Sequence, residues 1–119
     1  MTTWWTDPRF AEGAARYDGG EYFEAHEAWE HLWRAMPPGD DKRFVQGLIQ
    51  LAVSLEHARR QNPRGSAGQW AKAVDKLFPT RPPVDAEATV ALARAHLDGQ
   101  PGAPRVVYVD DLPAAYEPP

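Results

Sequence analysis

Phe44-Val45-Gln46-Gly47-Leu48-Ile49-Gln50-Leu51-Ala52-Val53-Ser54-Leu55-Glu56-His57 is the stretch that decides the fold. At about 100° per residue its apolar side chains, from Phe44 and Val45 through Leu48, Ile49, Leu51 and Ala52 to Leu55, spread around nearly the whole circumference of a helix. A helix that is apolar all round belongs in the middle of a protein. Yet Gln46, Gln50 and His57 fall within about 40° of one another, with Val53 on the same line. An unpaired buried polar group costs roughly 1–3 kcal/mol, so this row calls for polar partners on a neighbouring helix. Gly47, unfavourable in a helix interior by about 1 kcal/mol, predicts close contact with another helix at that point.

The segment before it supplies the partners. With His26 at zero on a helical wheel, Tyr22, Ala25, Trp29, Leu32, Trp33 and Met36 form one apolar face. His26 sits at its edge and Glu30 about 40° further round. His26, Glu30 and Trp33 follow i, i+4, i+7 spacing, so their side chains can meet. The reading is one shared cluster of His26, Glu30, Gln46, Gln50 and His57, with Trp33 beside it. Trp29 and Trp33 read as core. Glu24, Glu27 and His31 lie outside the stripe, on a solvated face, which makes Glu24 and Glu27 peripheral to any site.

Working outward, Asp7-Pro8 opens a first helix that runs to about Tyr17 and stops at Gly19-Gly20. Asp18 and Glu21 have the spacing of a capping box for the second helix, which ends before Pro37-Pro38-Gly39. Asp40 and Asp41 cap the third, which reaches about Gln61. Asn62-Pro63 separates it from a fourth, about Gly65 to Phe78. After the Pro79–Pro83 loop a fifth, Asp85 to Leu97, closes at Gly99. The short loops imply antiparallel neighbours. The expected fold is all-α: an up-and-down bundle of about five helices over residues 1–99, with a Pro-rich extended tail, 100–119, lying on or near it. Five of the twelve prolines fall in the last nineteen residues, around the β-prone run Arg105–Val109. A lone strand there has no ladder to join. Trp4-Trp5 is expected to staple the N-terminus onto the bundle.

Composition narrows the function classes. In 119 residues there is no cysteine, which excludes disulfides, thiolate metal sites and cysteine nucleophiles and favours a reducing, cytoplasmic setting. The N-terminus lacks the basic and apolar regions of a signal peptide, and no run approaches the ~18 apolar residues of a membrane span. A net charge of −4 argues against nucleic-acid binding. The basic group Arg59, Arg60 and Arg64 reads as a cationic helix C-terminus, as does His96. The candidate partners are a small polar ligand and a second copy of the chain.

A histidine and a carboxylate one turn apart, with His57 from the facing helix, could hold a divalent metal or carry general acid–base chemistry, Glu30 orienting His26. Metalloprotease spacings are missed, because Glu30 stands where His-Glu-x-x-His needs histidine, and the di-iron Glu-x-x-His repeat is absent. The competing reading is a non-enzymatic helical interaction module whose cluster is a structural network locking helix register. Whether the chain is an enzyme, and which cofactor it would use, is left open by the residues.

The segment Glu21-Tyr22-Phe23-Glu24-Ala25-His26-Glu27-Ala28-Trp29-Glu30-His31-Leu32-Trp33 resembles the signature of a prokaryotic family of uncharacterised small helical proteins, the domain-of-unknown-function family number three hundred and nine. Its His-x-x-x-Glu-x-x-Trp/Tyr hallmark is matched by His26, Glu30 and Trp33. Phe44–Ala52 with His57, Asn62-Pro63-Arg64-Gly65 and Ala73–Leu77 are also similar to the family. The resemblance spans about Arg9 to Leu77. It implies an all-α bundle and a metal-binding role for His26 and Glu30, without an established activity; the tail after Gly99 lies outside it.

Overall fold

The computed structural model describes residues 3–109, so Met1-Thr2 and the 110–119 part of the expected tail lie outside it. Among the described residues there are five α-helices: α1 Pro8–Asp18, α2 Tyr22–Ala35, α3 Asp40–Arg59, α4 Pro63–Leu77 and α5 Ala86–Leu97, preceded by a 3-10 turn at Trp4–Thr6. Among the described residues none of these helices is long and apolar enough to cross a membrane.

Three helices are capped as the sequence dictates. The carboxylate of Asp7 accepts from the Arg9 amide at 2.9 Å, Asn62 from Gly65 at 3.1 Å and Asp85 from Ala88 at 3.0 Å. Two expectations fail. Asp40 and Asp41 occupy the first turn of α3 behind Gly39, where their charge still favours the helix N-terminus. The Asp18–Glu21 capping box does not form, and Glu21 precedes α2 as an N-cap that makes no side-chain cap hydrogen bond. Asp18 is the last residue of α1, and its carboxylate instead accepts the Val106 amide at 2.8 Å. The α1–α2 turn is closed by backbone bonds, Glu21 N–H to the Arg16 carbonyl at 2.8 Å and Gly20 N–H to that of Tyr17 at 3.0 Å, with an Arg16–Glu21 ion pair at 3.2 Å across it.

Helix α3 is central, packing against both α2 and α4, while α1 packs on α2. Phe44, Val45, Leu48, Ile49, Leu51, Ala52 and Leu55 are all buried. Gly47 is where α4 comes closest: a Cβ there would stand 2.9 Å from Leu77 Cγ and 3.0 Å from Lys76 Cβ. Further along, Ser54 Oγ donates to the Ser66 carbonyl at 2.8 Å, pinning α3 to α4 inside the core. Trp4 is buried in edge-on contact with Phe10 and tilted against Phe44.

Residues 104–109 form an extended strap across the N-terminal end of α5. Asp85 N–H bonds the Val107 carbonyl at 2.8 Å and Val109 N–H that of Pro83 at 2.9 Å, around one isolated bridge between Val84 and Tyr108. With one short partner segment available, no sheet develops among the described residues.

Candidate functional site

The side chains singled out in the sequence lie along the α2–α3 seam. Contacts there run in opposite order along the two helices. Phe23, early in α2, lies under the Arg60 guanidinium just past the end of α3, and Trp33, late in α2, lies under Lys42 near its start. Near the first of these contacts is a cleft of about 190 Å³, lined by Tyr22, Phe23 and His26 from α2 and by Val53, Glu56, His57 and Arg60 from the α3 side. At ~30 Å³ per water it has room for about six, which suits a small molecule.

His26 is held at both nitrogens. Nδ1 lies 3.1 Å from the Phe23 carbonyl, which accepts from this nitrogen whenever it carries a proton. Nε2 lies 3.2 Å from Glu30 Oε2, a contact that becomes a charge-assisted hydrogen bond when the ring takes a second proton. Glu30 also accepts from Arg34 one turn further on. Both members of the pair stay partly open to solvent, the His26 side chain at 23% and Glu30 at 32%.

His57 reaches the same cleft from α3 but does not bond His26 or Glu30. Its Nδ1 is 3.1 Å from Asn62 Nδ2, in the turn before α4. Glu56, the one buried charged residue among the described residues, accepts from Arg59 at 2.7 and 2.9 Å and from Arg60 at 2.6 Å. These hydrogen bonds, the one from Arg59 foremost, outweigh desolvation and hold its carboxyl down to about 2. Arg59 and Arg60 therefore serve Glu56 directly, where the sequence suggested only a cationic helix end.

The five-residue network expected from the wheel is not made. His26 pairs with Glu30 and shares the cleft with His57. Gln46 and Gln50 are half-buried and, among the described residues, bond none of the three. Gln50 Oε1 and Trp33 Nε1 are buried without hydrogen-bond partners there. Nor do His26, Glu30 and His57 form a metal set: among the described residues no three histidine or acidic side chains are grouped to hold an ion. His57 Nδ1 is engaged by Asn62, while His26 Nε2 faces Glu30 on its own helix. Glu27 is exposed, and Glu24 is half-buried on the side of Arg59.

Sequence reasoning missed Tyr22, Phe23, Glu56, Arg60 and Asn62 as parts of the site. Only Glu56 carried a usable signal, an acid followed at i+3 and i+4 by arginines. Three clefts are larger: one of about 260 Å³ lies between the N-terminal turn and the end of α2, and two, about 370 and 390 Å³, flank the C-terminal end of α5. At the latter two, the polar side chains are engaged elsewhere or exposed: Arg94 is paired with Asp98 over Trp70, and His96 is exposed.

This is an all-helical protein whose chemistry-bearing side chains meet at a two-histidine cleft between its second and third helices. A model of the family described as a domain of unknown function, DUF309, matches residues 10–69, half of the chain, and the chain belongs to that family. The matched stretch contains every residue of the cleft. Over 54 residues the chain is 46% identical to a protein of Bacillus subtilis (strain 168) described as uncharacterized protein YpuF. That match covers 45% of this chain and 31% of the relative's length, so the chain corresponds to less than a third of the curated relative. No solved structure matches.

Proposed function

We propose that the α2–α3 cleft binds a small polar molecule, with His26 as its central polar group. The observation that carries this reading is the convergence of two histidines from separate helices on one open cleft of about 190 Å³. A histidine that only locks helix register has no need of solvent access. His26 has it, and no hydrogen bond links it to the glutamines or to His57 that a lock would use. A resident divalent ion forms no part of this reading, for want of a ligand set.

The test is a titration of the 15N-labelled protein with small carboxylates, phosphates, amides and polyols. We expect at least one class to shift the amide resonances of Phe23, His26 and His57 saturably, and His26→Ala to abolish the response. If no compound moves these signals at millimolar concentration, the cleft is not a ligand site.

A further inference from the structure

The cleft's second histidine is set by a device outside the cleft. We infer that Asn62 is a positioning residue that fixes the neutral His57 ring with its proton on Nε2, making His57 a hydrogen-bond donor to a small oxyanion in the α2–α3 cleft. This rests on the ligand-site reading above and names the chemistry of its ligand.

The Asn62 amide has two ends with two jobs. The Gly65 amide donates to its Oδ1 at 3.1 Å, capping α4. Because a backbone N–H can only donate, the oxygen must face Gly65, and this leaves Nδ2 as the end that lies 3.1 Å from His57 Nδ1. An amide nitrogen is likewise only a donor, so Nδ1 accepts and the ring proton of neutral His57 sits on Nε2. His26 differs, since it faces an acceptor at each nitrogen, the Phe23 carbonyl at Nδ1 and Glu30 at Nε2.

The contact is built into the backbone. Gln61 takes φ +60°, and the turn closes with Asn62 N–H on the His57 carbonyl at 2.8 Å and Gln61 N–H on that of Ala58 at 3.0 Å. Chain reversal brings Asn62 back beside the residue five positions earlier. Gly65 completes the seat: a Cβ there would meet Asn62 Nδ2 at 2.6 Å and His57 Nδ1 at 2.9 Å, so any larger residue would push into the contact. The Asn62-Pro63-Arg64-Gly65 run is therefore explained by what it does to His57 as well as by starting α4.

The remaining lining decides the ligand's charge. Glu56, the cleft's own acid, is already engaged by Arg59 and Arg60. The walls bring His57, and Arg60 with the N–H groups left after its Nε is given to Glu56, beside apolar surface from Phe23 and Val53. That combination fits a carboxylate or phosphate on a small body, and a neutral amide or polyol less well.

The experiment uses long-range 1H–15N correlation of the histidine rings in the whole chain, on the wild type and on Asn62→Asp and Asn62→Ser. Both replacements keep an N-cap acceptor for Gly65, so α4 stays capped, while the donor to His57 is lost. We expect the Nε2–H pattern for His57 in the wild type. In Asn62→Asp it gives way to Nδ1–H or to the doubly protonated ring, and in Asn62→Ser to a mixture, with His26 unchanged in both. Benzoate and inorganic phosphate serve as probes. One of them should shift His57 Nε2 in the wild type and bind about twofold more weakly to the uncharged Asn62→Ser, where some of the rings lose the Nε2 proton, and which of the two does so separates a carboxylate from a phosphate ligand. An Nδ1–H pattern in the wild type, or an unchanged ring in both variants, overturns the positioning role. If neutral amides or polyols shift His57 and neither anion does, the oxyanion inference fails while the ligand site stands. If no compound of any class acts, both fail.

Discussion

His26 and Glu30 sit one helical turn apart, Nε2 to Oε2 at 3.2 Å, yet on the described structure neither reaches the polar row of α3 that the sequence supplied as partners. The pair is a local feature of α2 facing a cleft. It does not bridge two helices through hydrogen bonds, and this separates its chemistry from the stability of the fold.

Glu30→Gln and His26→Gln should therefore leave the protein almost as stable as the wild type. A partly exposed i, i+4 pair contributes about 0.2–1 kcal/mol, whereas an interhelical network would lose roughly 1–3 kcal/mol. In thermal unfolding the first corresponds to a few degrees at most for a chain of this size. Urea unfolding of both variants checks it. A loss above about 2 kcal/mol in either would restore the register-lock reading and remove the main argument for a ligand site.

Glu56 predicts how the fold responds to acid. Its carboxyl is held down to about 2 from an ordinary 4.5, so the folded state binds this proton less readily than the unfolded chain. Its stabilising effect is complete above the unfolded value and fades as pH falls from about 4.5 through about 2. Because Arg59 and Arg60 are well exposed, solvent screening brings the expected contribution to roughly 1–3 kcal/mol. Urea unfolding at stepped pH should show Glu56→Gln less stable than wild type at neutrality and converging with it near the acid end. A constant difference across that range would mean that Glu56 acts through packing alone.

Asp18 should control the strap. Its carboxylate is the acceptor for the Val106 amide, and the Val106 side chain is buried in the core. The neighbouring Val107 amide depends on Thr89 Oγ1 at 3.0 Å. Asp18→Ala should speed amide exchange at Val106 and Val107 by about tenfold, the equivalent of ~1.4 kcal/mol of local stability, and leave Leu48 and Leu51 in α3 protected. Equal acceleration at Leu48 and Leu51 would show that the strap and the bundle open together.

Most of the fold was legible because it rests on local rules. The all-round apolar pattern of Phe44–Leu55 identifies a buried helix without knowledge of its neighbours. Asp7 and Asp85 open helices through side chains that reach only two or three residues ahead. Asp18 misled for the opposite reason: its acceptor goes to Val106, eighty-eight residues away, and no local pattern reveals that competition. The site was half legible. Helical spacing pairs His26 with Glu30 correctly, but a wheel gives direction only. It cannot say that Asn62, after a reversal at Gln61, reaches His57 before any side chain of α2 does.

Two helical glycines should respond to the same replacement with opposite sign. Adding a methyl group in a helix interior is by itself stabilising, by up to about 1 kcal/mol. At Gly68, on the exposed face of α4, a Cβ would meet nothing within 4 Å, so Gly68→Ala should raise stability by about that much. At Gly13 the same Cβ would lie 2.2 Å from Trp29 Nε1 and 2.3 Å from Cδ1. Trp29 has no room to give. It is fully buried, donates to the Phe10 carbonyl at 3.1 Å and packs against Phe10 and Tyr17. Overpacking of about 1–3 kcal/mol and a lost hydrogen bond of ~1 kcal/mol outweigh the helix gain, and Gly13→Ala should lose about 2–3 kcal/mol. Paired urea titrations would read both. Were Gly13→Ala as stable as wild type, α1 would have to be able to move off Trp29, and the seating of α1 on α2 described above would be wrong.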